Sequence, residues 1–144
     1  MHRRELLLAT LATAKGRPFQ PAQIQKALFL VSTNLPQLTD PGASYNFLPY
    51  NYGPFDHNVY ADAEDLQTEG AAVIAPSANG RWRTYAASEA GLARGERLLA
   101  TLDRDSRTYI DDVVRWVLAQ SFGSLVKSIY EAYPEMKENS IFQG

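Results

Sequence analysis

The chain has 144 residues, 45% hydrophobic and 11% aromatic, enough apolar side chain for one domain with a real core and too much for a disordered chain. Fourteen basic residues against 16 acidic ones leave a net charge of -2, so the strongly basic composition that advertises nucleic acid is missing. There is no cysteine, which excludes disulfides and thiolate metal sites.

Residues 3–14 read as a helix with Leu7, Leu8, Leu11 and Ala14 on one face, ended by Gly16 and Pro18. The apolar run Leu6–Leu8 is too short for a secretory signal, and no stretch approaches the ~20 apolar residues of a membrane span. A soluble cytoplasmic protein without a membrane partner is the expectation. Residues 20–34 form a second helix, with Pro21 in its first turn. Its middle, from Ile24 through Ala27 to Val31, is apolar on nearly all sides and belongs at the centre of the domain. Pro36 to Ser44 is loop composition. Residues 45–55 start as a short edge strand, since Pro49 cannot sit in a central one, and Gly53-Pro54 are expected to force a turn. Asp56 is a suitable N-cap for a third helix, 57–69, with Phe55 and Tyr60 placed for a hydrophobic staple. Val59, Ala63 and Leu66 form its core stripe, and Gly70 suits the C′ position.

At Gly70 the period changes. Residues 71–77 and 81–88 read as two strands joined by Ala78-Asn79-Gly80, a hairpin loop. Ser88 caps a fourth helix reaching about Leu102. A fifth, 106–119, turns Ile110, Val113, Val114 and Val117 inward. A sixth, 122–133, offers Leu125, Val126, Ile129, Tyr130 and Tyr133 for packing and stops at Pro134. Helix, helix, short strand, helix and hairpin is the order of a winged helix. The fold expected is therefore α+β: a single winged-helix-like domain over 1–144, its wing at 71–87 and a C-terminal helical extension at 88–142.

Two stretches, IQKALFLV (24–31) and YNFLPYNYGPFDHNVYADAEDLQTEGAAVI (45–74), resemble the Panacea (SocA-like) antitoxin family and the related YwgA-like bacterial and phage-associated proteins. The matching residues are Gln25, Lys26, Leu28, Phe29, Tyr52-Gly53-Pro54-Phe55, Leu66, Gly70 and Ile74, and the tail 129–142 also looks like the YwgA-like ending. The resemblance implies a winged-helix-like fold, a bacterial or phage setting, and a part in toxin neutralisation or mobile-element regulation.

The third helix carries Asp62, Glu64, Asp65 and Glu69 and no Lys or Arg. Such a helix suits a DNA groove poorly, because duplex DNA presents one phosphate charge per ~1.7 Å. A solvated acidic face and an acidic protein-docking face both fit it. Arg81 and Arg83 share one face of the wing and could touch nucleic acid or pair with those acids, while Trp82 between them is expected to anchor in the core. The aromatic run Tyr45, Phe47, Tyr50, Tyr52 and Phe55 reads either as core or as a docking surface. Catalysis finds little support: Asp56-His57 is adjacent in sequence, which does not orient an imidazole as a triad requires, and no nucleophile elbow, P-loop, dinucleotide fingerprint or zincin motif occurs. No cofactor or metal is expected. The expected function is a non-enzymatic regulatory or antitoxin-like protein. It would engage a protein partner, such as a small basic toxin, through Tyr50, Tyr52, Gly53, Pro54 and the exposed acids Asp62 and Asp65. The alternative is a winged-helix transcriptional regulator, its weak DNA contact carried by Arg81 and Arg83. Homodimerisation through the C-terminal helices is compatible with either.

Overall fold

In the computed structural model, which describes residues 1–143, helix α1 (Arg3–Thr13) runs through the middle of the protein. Every residue from Leu6 to Ala12 is buried. The periodicity assigns this helix one inward face. Leu6, Ala9 and Ala12 fill the remaining sides, and a helix apolar all round belongs inside. Its one buried hydroxyl, Thr10, donates to the Leu6 carbonyl at 2.8 Å. A capping box starts the helix: His2 Nδ1 accepts from the Arg4 amide, and Glu5 accepts from the His2 amide.

Helix α2 (Pro21–Asn34) is the second buried element, as its composition predicts. After it comes a small antiparallel ribbon of β1 (Leu48–Tyr50) and β2 (Gly53–Phe55). Here the sequence reading needs correction. The chain reverses at Asn51-Tyr52, and Gly53-Pro54 form the second strand, with Pro49 opposite Pro54 and Tyr50 opposite Gly53. Two facing prolines are tolerable because a two-stranded ribbon has no central position. Gly53 takes φ 103°, a conformation L side chains rarely adopt.

Helix α3 (Asn58–Thr68) begins one residue later than expected, yet Asp56 still does the capping work, its Oδ1 accepting from the Asn58 amide at 2.9 Å. Phe55 and Tyr60 meet edge to face at 5.7 Å, forming the expected staple. At the other end Gly70 (φ 79°) closes a Schellman motif: its amide bonds the Gln67 carbonyl, and the Ala71 amide bonds that of Leu66.

The second sheet pairs β3 (Ala72–Pro76) with β4 (Arg83–Ala87), Ile74 opposite Tyr85, as the period change predicts. Phe19, between α1 and α2, bridges Tyr85 with two backbone hydrogen bonds of 2.8 and 2.9 Å and so extends this sheet on its β4 side. Trp82 is 39% exposed at the hairpin end and does not anchor in the core; the buried aromatic on this hairpin is Tyr85.

Helices α4 (Glu89–Ala100), α5 (Arg104–Ala119) and α6 (Phe122–Ala132) complete the α+β fold, each capped by the preceding Ser88, Asp103 or Ser121. Helix α4 lies so close to its neighbours that a Cβ on Gly91 would overlap the Ala71 carbonyl and one on Gly95 would overlap Ala12 Cβ. Among the described residues no helix is long and apolar enough to cross a membrane.

Candidate partner-binding surface

The β1–β2 ribbon is fixed to α2 by one side chain. Gln25, 1% exposed, donates from Nε2 to the Asp56 carbonyl and accepts the Asp56 amide on Oε1, both at 3.0 Å. The Asp56 carboxylate in turn accepts the Asn46 amide at 2.8 Å. Lys26, the next residue on α2, lies beneath the ribbon. A Cβ on Gly53 would stand 3.7 Å from Lys26 Cε and 3.4 Å from Cε1 of Tyr130 on α6. Lys26 is 3% exposed and forms no ion pair among the described residues. Burial pushes its ammonium down to about 8. The Tyr130 hydroxyl is buried with no hydrogen-bond partner.

Above this buried layer the ribbon presents Leu48 (58% exposed), Tyr50 (54%) and Tyr52 (41%). Each tyrosine heads a chain of ring contacts leading inward. Tyr50 stacks on Phe55 at 5.2 Å, Phe55 meets Tyr60, and Tyr60 stacks on Tyr85. Tyr52 meets Phe122 at 5.2 Å, then Phe122 meets Phe142 and Phe142 meets Tyr130. The tail is strapped alongside: Asn139 Nδ2 donates to the Pro49 carbonyl at 3.1 Å, and the Ile141 amide to that of Asn51 at 2.9 Å. Of the large hydrophobic side chains that stay exposed, Leu48, Tyr50, Tyr52, Phe122 and Ile141 all belong to this ribbon–α6–tail surface.

The expected site residues divide. Tyr50 and Tyr52 are exposed as a docking surface requires. Gly53 and Pro54, expected at the same site, are buried beneath these side chains. The expectation of an exposed Asp62 is overturned: it is 2% exposed, accepting from Arg3 Nε at 2.9 Å and from the Tyr45 hydroxyl at 2.8 Å. The reason is its place on the inward stripe of α3, three residues after Val59 and one before Ala63. Burial and the neighbouring carboxylate hold the Tyr45 phenol well above its usual range.

Asp65 is exposed but paired with Arg4 at 3.1 Å. Glu69 pairs with Arg4 and Arg94, and Glu64 with Arg83 at 3.1 Å. The acidic helix is therefore tied to α1, α4 and β4 by arginines and carries much less free negative charge than its sequence suggests. Arg83 is spent in the same way. Arg81 is exposed and forms no ion pair among the described residues. No cluster of His, Asp and Glu among the described residues is placed to hold a metal ion.

Sequence reasoning missed Gln25, Lys26, Leu48, Phe122 and Tyr130 as parts of this surface. Two adjacent polar residues inside an otherwise apolar helix are the signal for Gln25 and Lys26, because a buried polar group is more informative than an exposed apolar one. No family model matches the chain, and no curated protein matches it.

Proposed function

We propose that this chain is a non-enzymatic binding protein of the cytoplasm that docks a protein partner on the ribbon–α6–tail surface. The observation that carries this reading is the gathering of Leu48, Tyr50, Tyr52, Phe122 and Ile141 on that one surface, five of the eight large hydrophobic side chains exposed among the described residues, with Val73, Trp82 and Trp116 elsewhere. Contiguous exposed apolar side chains of this kind mark interaction sites. Tyrosines add contact area at low entropic cost and are enriched at binding hot spots. The likeness of Gln25-Lys26 and Tyr52-Gly53-Pro54-Phe55 to Panacea antitoxins favours toxin neutralisation or mobile-element regulation as the role. The three helices α1–α3, the β3–β4 hairpin behind them and the Phe19 bridge onto β4 favour a winged-helix reading of the fold.

Affinity capture under nuclease treatment tests this reading, comparing the native chain with Tyr50→Ala plus Tyr52→Ala. A protein retained by the first and lost by the second, at unchanged circular dichroism and melting temperature, supports it. Retention by both, or retention that nuclease abolishes, overturns it. The second reading, a DNA-binding regulator, rests on Arg81, exposed and unpaired at the tip of the β3–β4 hairpin beside the exposed Trp82.

A further inference from the structure

Lys26 has no structural reason to be a lysine. A buried ammonium without an acid costs stability, and buried charges are ordinarily paired. Nothing among the described residues pairs with this one, whereas the other buried charged side chains, Asp56 and Asp62, are fully engaged. A second orphan stands beside it. The Tyr130 hydroxyl is a buried donor with no acceptor, and Tyr130 is itself only 7% exposed. Both side chains converge on Gly53, whose missing Cβ leaves a methyl-sized cradle between Lys26 Cε and the Tyr130 ring. Lys137 adds positive charge, its Nζ 5.9 Å from the centre of the same ring. One unsatisfied buried hydroxyl, one ammonium without an ion pair, and no acid of the chain's own describe a site for an anion.

We propose that Lys26 and Tyr130 form a carboxylate-binding notch under the β1–β2 ribbon, and that it receives a glutamate side chain of the protein that docks on Tyr50 and Tyr52. The partner half of this proposal rests on the function proposed above. The buried pair offers two donors and a single positive charge, Lys137 being exposed and screened by solvent, and so matches the two oxygens and single charge of a carboxylate better than a dianionic phosphate. Lys26 and Tyr130 are 3% and 7% exposed beneath the ribbon, which favours glutamate, whose two methylenes let the carboxylate reach toward them while its backbone stays on the aromatic surface. The arginine-paired acids of α3 then leave the partner free to be acidic at its contact point. The stability lost by burying Lys26 alone is recovered when the complex forms, which makes this contact a source of specificity: a partner lacking the acid leaves the charge unpaired.

The notch can be tested without any partner. In the full chain with 13C-labelled lysine, the Lys26 Cε resonance, assigned by its loss in Lys26→Met, is followed while acetate is added against chloride at matched ionic strength. The expected result is a saturable shift with acetate alone and a rise of the Lys26 titration midpoint by about one unit, equivalent to tenfold coupling. Tyr130→Phe, which removes only the hydroxyl, should weaken acetate about tenfold. N-acetylglutamate α-amide, with a side-chain carboxylate only, should bind more tightly than N-acetylglycine, with a terminal one. The notch is refuted if acetate moves Lys26 no more than chloride does, or if Tyr130→Phe leaves acetate affinity unchanged. Tighter binding of N-acetylglycine overturns the glutamate assignment. Because these measurements use no partner, a negative result in them is distinct from a failure of the capture experiment, which bears on the docking surface itself.

Discussion

Gln25 and Asp56, 31 residues apart, are joined by a reciprocal pair of 3.0 Å hydrogen bonds between one carboxamide and one residue's backbone. The ribbon and the start of α3 take their position from this clamp. Gln25→Leu fills the space but leaves the Asp56 amide buried without a partner, while the Asp56 carbonyl keeps the Val59 amide at 3.1 Å. The expected loss is about 2 kcal/mol, within the range for stranding one buried backbone donor and losing a second hydrogen bond. Urea unfolding measures it; a loss below about 1 kcal/mol would show that the ribbon is held by its other contacts.

Asp62 ties α3 to α1 through Arg3 and to the preceding loop through Tyr45. Asp62→Ala should cost about 3 kcal/mol, the lower end for breaking a buried pair, because Arg3 retains 28% side-chain exposure and can rehydrate. Asp65→Ala, which loses one exposed ion pair, should cost about 0.5 kcal/mol. Thermal melts of the two variants side by side check the contrast. Equal effects would mean that Asp62 is not the buried anchor described above.

Lys26 makes stability depend on pH in an unusual direction. Its folded value, about 8, lies below its ordinary 10.5. Below pH 8 both folded and unfolded chains hold the proton, and the folded one bears the cost of a buried charge. Between pH 8 and about 10 the folded chain gives the proton up while the unfolded chain keeps it, so stability rises with pH. Above about pH 10 the trend reverses, because burial raises Tyr60 to about 12 and Tyr45 still further, and the unfolded tyrosines ionise first. Lys26→Met should gain about 3 kcal/mol at pH 7 and flatten the rise between pH 8 and 10. Denaturation series at pH 7, 9 and 11 decide this; a destabilised Lys26→Met variant would contradict it.

Duplex DNA should bind weakly at physiological salt. Helix α3 offers a groove no Lys or Arg, and Arg83 is held by Glu64. Whatever binding exists should fall steeply with salt and should drop further in Arg81→Ala. Fluorescence anisotropy across a salt series is the measurement. Tight, sequence-selective binding that survives Arg81→Ala plus Arg83→Ala would favour a DNA-reading protein using other residues.

Local patterns carried the elements well. The β3–β4 pairing follows from the period change at Gly70 and the Asn79-Gly80 turn, and the Phe55–Tyr60 staple from their spacing around Asp56. Asp62 was within reach too: Val59, Asp62, Ala63 and Leu66 share one helical stripe, so its carboxylate had to face inward. Its arginine partner lies 59 residues away, and no local pattern encodes such a contact. The Lys26–Gly53–Tyr130 convergence is of the same kind, drawing on α2, β2 and α6. Trp82 was misplaced because alternation along a strand says which side chains share a face, while the end of a two-stranded hairpin extends past the core that would cover them.

The strap from Asn139 to Pro49 spans 90 residues of sequence, and it shapes how this surface can be seen from outside. An immune or display reagent raised on a synthetic peptide of residues 47–55 would meet those side chains without Phe122, Ile141 or the tail beside them. It should therefore bind denatured chain on a blot and bind the native protein poorly. A reagent selected on the folded protein should show the opposite preference.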